Sequence, residues 1–249
     1  MTTLYLLRHG QASALADEYD KLSPIGEQQA ERLGIHLGAH LSGPARVLVG
    51  PRKRHAQTLA GMRRGAPDRF GAETLEPALD EHHGVQLVKL LTPLYAERDH
   101  PFGDAIRAVM KGGPDAYRSV GRMYQVALTG WARGELEHPD DIETWSAFRT
   151  RTGAFLRSLI EGDDDSTLVA VTSGGAIGAM VAEAIGAPDE RALDLMWSLK
   201  NASITRLRFS HHTFTALDVT TKTGPRTVHL EVFNETGHLG TESHLHTHV

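Results

Sequence analysis

Four short apolar runs in this chain each stop at polar residues or glycine, and no other feature narrows the fold as much. Leu4 to Leu7 ends in Arg8-His9-Gly10, and Ala45 to Val49 ends in Gly50-Pro51. An extended piece around Leu75 to Leu79 ends in Asp80-Glu81-His82, and Leu168 to Val171 ends in Thr172-Ser173-Gly174-Gly175. Apolar runs this short, bounded by breakers, suit buried strands. Helical patterns separate them. Ser23-Pro24 supplies a capping residue and a proline for the first helical position, and Ala30, Leu33, Leu37 and Leu41 then recur at helical spacing. Alternation of this kind, followed by strand pairs, predicts an α/β fold: a three-layer α/β/α sandwich with a mixed, mostly parallel sheet.

Residues 52–64 read as a second helix. From 84 to about 161 the pattern is predominantly helical, broken near Pro101, Gly112-Gly113-Pro114 and His138-Pro139. Residues 84–140 are expected to form a helical insertion over the candidate site, within one domain spanning 1–249. Trp131, Trp145 and Phe102 are expected to pack that insertion, and Arg98, Arg107, Lys111 and Arg118 place cations in it for a second anion contact. A small-residue helix follows to Gly186, then strands at roughly 203–209, 213–219 and 227–233. The segment 240–249, with His244, His246 and His248, is expected to be a flexible polar tail rather than a metal site.

The strand ends carry the chemistry. In an open α/β sheet, ligands bind in the crevice outside the carboxyl ends of the strands, so polar residues at four such ends imply one shared pocket. Arg8 offers a planar fork of donors that matches phosphate oxygens. His9 is a nucleophile usable near neutral pH, and Gly10 lets the backbone approach a ligand. Arg54 sits at the start of a helix, where backbone N–H groups favour anions, and Ser173-Gly174 repeats that arrangement. Glu81 brings a carboxyl group to the same region.

Composition removes several alternatives. The chain has no cysteine, which excludes disulfides, thiol nucleophiles and thiolate metal sites. A net charge of −5 supplies no general field for nucleic acid or an anionic membrane. The basic cluster Arg52-Lys53-Arg54-His55 with Arg63-Arg64 lacks interleaved aromatics and fits a small anionic substrate better than nucleic acid. No apolar run approaches the roughly 20 residues of a membrane span, and the chain starts directly in a strand without a secretion-signal pattern, so a cytoplasmic protein is expected.

Taken together, these elements resemble the histidine phosphatase superfamily, the phosphoglycerate mutase-like fold. Arg8-His9-Gly10 is similar to the nucleophile motif of that family, and Leu22-Ser-Pro-Ile-Gly26 with Gln29-Ala30 to the element that follows it. Pro51, Arg54, Gln57 and Thr58 match a Ser-Pro-x-x-Arg-x-x-Gln-Thr motif, with Gly50 where serine is usual. Glu81 matches the acid of Leu-x-Glu, and Thr144 to Arg151 resembles the helix before the fourth strand. Asn201 to Ile204 and Phe233 to Leu239 resemble C-terminal elements of some members.

The resemblance implies two-step phosphoryl transfer from a small phosphorylated substrate, without cofactor or metal. His9 becomes a phosphohistidine, Arg8 and Arg54 hold the phosphoryl oxygens, and Glu81 serves as acid and then base. Ser173 and Gly174 would bind phosphate. One position departs from the family: a second histidine belongs directly before the glycine pair, and Ser173 stands there. His238 and His82 are the candidates to replace it. Hydrolysis of a phosphomonoester is the expected activity. Phosphoglycerate mutase-type transfer and a phosphate-binding pseudoenzyme stay open beside it, as does the oligomeric state.

Overall fold

The computed structural model describes residues 1–12, 20–113, 116–162, 166–210 and 227–248. Among them, six strands form one sheet: β1 (Thr2–Arg8), β2 (Ala45–Val49), β3 (Phe70–Leu75), β4 (Thr167–Thr172), β5 (Ile204–Ser210) and β6 (Thr227–Glu235), in the order β3-β2-β4-β1-β5-β6. β3, β2, β4 and β1 run parallel, and β5 pairs antiparallel with both β1 and β6. The sheet is therefore mixed and mostly parallel, as the strand–helix alternation requires. The strand expected at 213–219 lies outside the described residues.

α1 (Pro24–His40) and α2 (Lys53–Gly65) connect β1 to β2 and β2 to β3 on one face. α1 begins where the sequence places it, with Ser23 accepting a hydrogen bond from the Gly26 amide and Pro24 in the first turn. Alternate residues of the strands point toward these helices, so Leu7, Val47, Val49, Val169, Val171 and Ile204 join Leu33, Leu37 and Met62 in one core. α7 (Gly174–Ala184) follows β4 and α8 (Asp189–Ser198) packs on it, so the chain returns to β5 across the other face. Every residue of α7 from Gly174 to Ala182 is buried, which accounts for its small-residue composition. α8 has no counterpart among the sequence expectations, although Ala192, Leu193 and Met196 carry a helical burial pattern.

The described residues divide into two compact units, Met1–Glu81 with Arg151–Val249, and His82–Thr150. The second contains α3 (Gly84–Tyr95), α4 (Pro101–Lys111) and α5 (Ala116–Ala132); α6 spans Trp145–Glu161. Phe102 is fully buried, Trp131 meets Trp145 edge to face at 5.4 Å, and Phe148 lies 5.7 Å from Trp145. Arg98 pairs with Glu137 at 2.5 Å, and Arg107 binds Asp104 at 2.6 Å. Both arginines thus have anionic partners inside their own unit. No helix among the described residues is long and apolar enough to cross a membrane.

Two expectations need correction. The third extended piece lies earlier than its apolar residues suggest: β3 ends at Leu75, and Pro77–Leu79 is a 3-10 turn whose first amides are served by the Glu76 side chain. Proline there removes a ladder donor, and β3, an edge strand largely exposed, has no need of an apolar run. The tail is anchored rather than loose. Leu245 is fully buried, Gln29 donates to its carbonyl at 2.7 Å, and Thr247 exchanges hydrogen bonds with Asn201. Burying one leucine and satisfying these polar groups outweighs the polar character of the segment.

α1 and α2 approach backbone to backbone. A Cβ on Gly34 would lie 2.2 Å from the Met62 carbonyl oxygen, so alanine cannot enter without separating the helices. Alanine is otherwise favoured over glycine in a helix by about 1 kcal/mol. Gly34→Ala is nevertheless expected to lower unfolding free energy in urea by about 2 kcal/mol. Gly43→Ala, where nothing lies within 4 Å, should change it by less than about 0.5 kcal/mol. Equal stabilities for the two variants would show that the contact does not matter.

Candidate active site

The site is assembled within the first unit, from the carboxyl ends of β1 and β4, the start of α2 and the residues after the 3-10 turn. The His9 amide donates to Thr172 and the Gly50 amide to Val171, both at 3.0 Å, which ties the three strand ends together. Behind His9, its carbonyl accepts from the Ala202 amide at 3.0 Å and from the Asn201 side chain. Ala202 holds φ at +55°, a left-handed conformation costly for a residue with a Cβ. The Gly10 amide donates to Thr58 at 3.1 Å, and Gly10 packs so closely on Gly26 that a Cβ would fall 2.3 Å from the Gly26 oxygen.

His9 is buried, and its Nδ1 lies 2.6 Å from the Gly10 carbonyl. A carbonyl only accepts, so the proton belongs on Nδ1 and Nε2 keeps a lone pair. Burial holds the His9 pKa well below the ordinary value, and the charges of Arg54, Arg8 and His55 push it the same way; the Gly10 hydrogen bond opposes them. The ring is therefore a neutral nucleophile at neutral pH.

Arg8 donates to the Leu199 carbonyl and passes beside Gly174, its Nε 3.5 Å from where a Cβ would sit. Arg54 is buried. It donates to Asp20 at 3.0 Å and, through its other terminal nitrogen, to Ser173 Oγ at 3.1 Å. Glu81 accepts from the Gly175 amide at 3.0 Å, which fixes its carboxylate at the N-terminus of α7. All six residues singled out in the sequence, Arg8, His9, Arg54, Glu81, Ser173 and Gly174, thus meet at one end of the sheet.

The two histidines proposed to supplement them have aromatic neighbours of their own. His238 packs on His36 with ring centroids 5.4 Å apart, and His82 belongs to the second unit, 5.7 Å from both Trp131 and Phe148. The histidine brought to Ser173 is His55, fully buried in the first turn of α2, with Nε2 2.7 Å from Ser173 Oγ and its ring centroid 5.7 Å from that of His9. Sequence reading took His55 as part of a local basic cluster suited to a small anionic substrate. The available signal was Gly50, whose missing side chain leaves room for the ring.

The fold has parallels among solved structures. Bacillus stearothermophilus YhfR superposes with a TM-score of 0.61 at 20% identity, covering 96% of this chain and 100% of that one. Phosphoserine phosphatase from Entamoeba histolytica, solved with 3-phosphoglyceric acid, gives 0.59 at 18%, with the same two coverages. A mycobacterial glucosyl-3-phosphoglycerate phosphatase bound to VO3 gives 0.58 at 18%, covering 94% and 99%. Residues 115–222 match the family model of the histidine phosphatase superfamily (branch 1). The fold is that of the histidine phosphatases. The matched segment contains Ser173 and Gly174 and begins well after His9, so the nucleophile motif rests on its own geometry. Among functionally curated proteins, none matches this sequence. Among the described residues, no three His, Asp or Glu side chains gather as a metal-binding group.

Proposed function

We propose that this chain is a metal-independent phosphomonoesterase of the histidine phosphatase superfamily, hydrolysing a small phosphate ester through a phosphohistidine on His9. The observation that carries this reading is the commitment of His9 Nδ1 to the Gly10 carbonyl, which leaves Nε2 bare between Arg8 and Arg54. The names of the structural neighbours, a phosphoserine phosphatase and a glucosyl-3-phosphoglycerate phosphatase, agree with it. Ser173 stands where the family pattern places a second histidine, and here it binds phosphate together with the amides of α7.

In the first step Nε2 attacks phosphorus and the bond to the ester oxygen breaks. Arg8 and Arg54 neutralise the equatorial oxygens, where charge accumulates. The Gly10 carbonyl accepts from Nδ1–H and so favours the positive ring of the phosphoenzyme. Glu81 gives its proton to the leaving oxygen, then takes one from the water that attacks phosphorus and frees His9. Turnover of p-nitrophenyl phosphate in EDTA, with an acid-labile, base-stable phosphate trapped on the protein, is the expected result. A protein that turns over only with added metal, or never carries phosphate, would refute the mechanism.

The role of Glu81 has its own signature. Protonating an alkoxide matters far more than protonating p-nitrophenolate, so Glu81→Gln should lower kcat for an alkyl phosphate by about 100-fold or more. For p-nitrophenyl phosphate the loss should stay under about tenfold. Equal losses on both substrates would remove Glu81 from proton transfer.

A further inference from the structure

His55 is a buried titratable side chain that the mechanism above does not use. Its ring is buried near the charges of Arg54 and Arg52, an expensive place for an imidazole with no task. Space for it exists only because residue 50 is glycine. A Cβ there would lie 2.5 Å from Nδ1 and 2.9 Å from Cε1. Nδ1 meets no hydrogen-bond partner among the described residues, although the Gly50 backbone is near enough to raise the ring's pKa somewhat. A buried N–H without an acceptor is rarer than an unused acceptor, so the single proton of the neutral ring belongs on Nε2, where Ser173 Oγ lies 2.7 Å away. Burial and Arg54 push the His55 pKa down to about 3, with Glu81 opposing, so the ring is neutral while the pocket holds no anion.

The hydrogen-bond count at Ser173 then closes. A hydroxyl has two lone pairs and one proton. Arg54 donates into one lone pair at 3.1 Å and His55 Nε2–H into the other. The Ser173 proton has no acceptor among the described residues and must point away from both donors. We propose that His55 is the positioning residue that forces the Ser173 hydroxyl to donate to the transferring phosphoryl group. Two donors enter the oxygen and one leaves it, so the neutral serine presents a fixed, polarised O–H. The inference rests on the phosphatase reading and adds to it the residue that orients Ser173.

The test is a double-mutant cycle read by orthovanadate affinity and by kcat/KM on p-nitrophenyl phosphate. His55→Ala and Ser173→Ala should each weaken both by about 10- to 100-fold. The double variant should be no worse than the poorer single one, because His55 acts only through Ser173. A merely structural histidine would give losses that multiply, which overturns the proposal, as does a His55→Ala protein that binds vanadate like the wild type. If His55→Ala fails to fold, Gly50→Ala displaces the ring without removing it and should reproduce the same loss; unchanged vanadate affinity there overturns the proposal too. Failure of the underlying reading looks different: the wild type itself would bind no vanadate, or would turn over equally well as His9→Ala.

Discussion

His9→Ala is expected to lower kcat/KM toward p-nitrophenyl phosphate by at least about ten-thousand-fold and to abolish the trapped phosphoenzyme. The size follows from which parts the substitution leaves. Arg8, Arg54 and the α7 amides still bind the phosphoryl group, and such electrostatic contacts alone preserve a residual rate over water. What disappears is the bond-forming lone pair, and no neighbour can replace it: Nε2 of His55 is occupied at Ser173, and the Glu81 carboxylate is held by the Gly175 amide. Inorganic phosphate should still bind within a few-fold of wild type, because the anion is held by the arginines rather than by the neutral ring. The protein should also remain folded, since the backbone hydrogen bonds of His9 to Thr172 and Ala202 do not involve the ring. Steady-state kinetics beside calorimetric phosphate binding would check both halves. Turnover surviving in His9→Ala would place the nucleophile elsewhere and end the phosphohistidine reading.

The residues that the sequence implied would meet, and that the fold brings together, are those whose position follows from a strand ending. Arg8 and His9 leave β1 where the apolar run stops, and Ser173-Gly174 leaves β4 in the same way, so a one-dimensional pattern suffices. Arg54 was legible as the anchor of a helix start, and Glu81 reached the pocket although β3 ends six residues before it. His55 was not legible. Its role depends on a cavity opened by Gly50 five positions earlier and on a hydroxyl at Ser173, 118 residues away, and no local pattern encodes such a contact. The tail failed for a related reason. Its polar residues predict solvation, while the deciding contacts, Gln29 to Leu245 and Asn201 to Thr247, come from distant parts of the chain. α8 was passed over after Gly186 although its burial spacing is helical.

Stability is expected to fall steeply as pH drops from about 6.5, and the cause is the same set of buried imidazoles that build the site. His55 is held down to about 3, first by burial and then by Arg54; His238 is held to about 4 by burial and by His36; His9 lies well below its ordinary value of 6.5. In the unfolded chain all three titrate near 6.5. Below that pH the unfolded state binds protons that the native state refuses. Each depressed histidine therefore adds stability that is present above 6.5 and is lost on acidification, until the native pKa is reached. The slope approaches about 1.4 kcal/mol per pH unit for each group, so by pH 5 His55 and His238 together cost about 4 kcal/mol, and His9 adds to it in the same direction. That approaches the lower end of the stability of many domains, about 5–15 kcal/mol. Urea unfolding at pH 7, 6 and 5 would measure it. His238→Gln should remove the part of this pH dependence that His238 carries. Millimolar phosphate should raise the stability at each pH, because it binds the native pocket and not the unfolded chain. A stability that is flat from pH 7 to 5 would mean that these rings titrate normally in the folded protein, and the neutral nucleophile assigned to His9 would lose its physical basis.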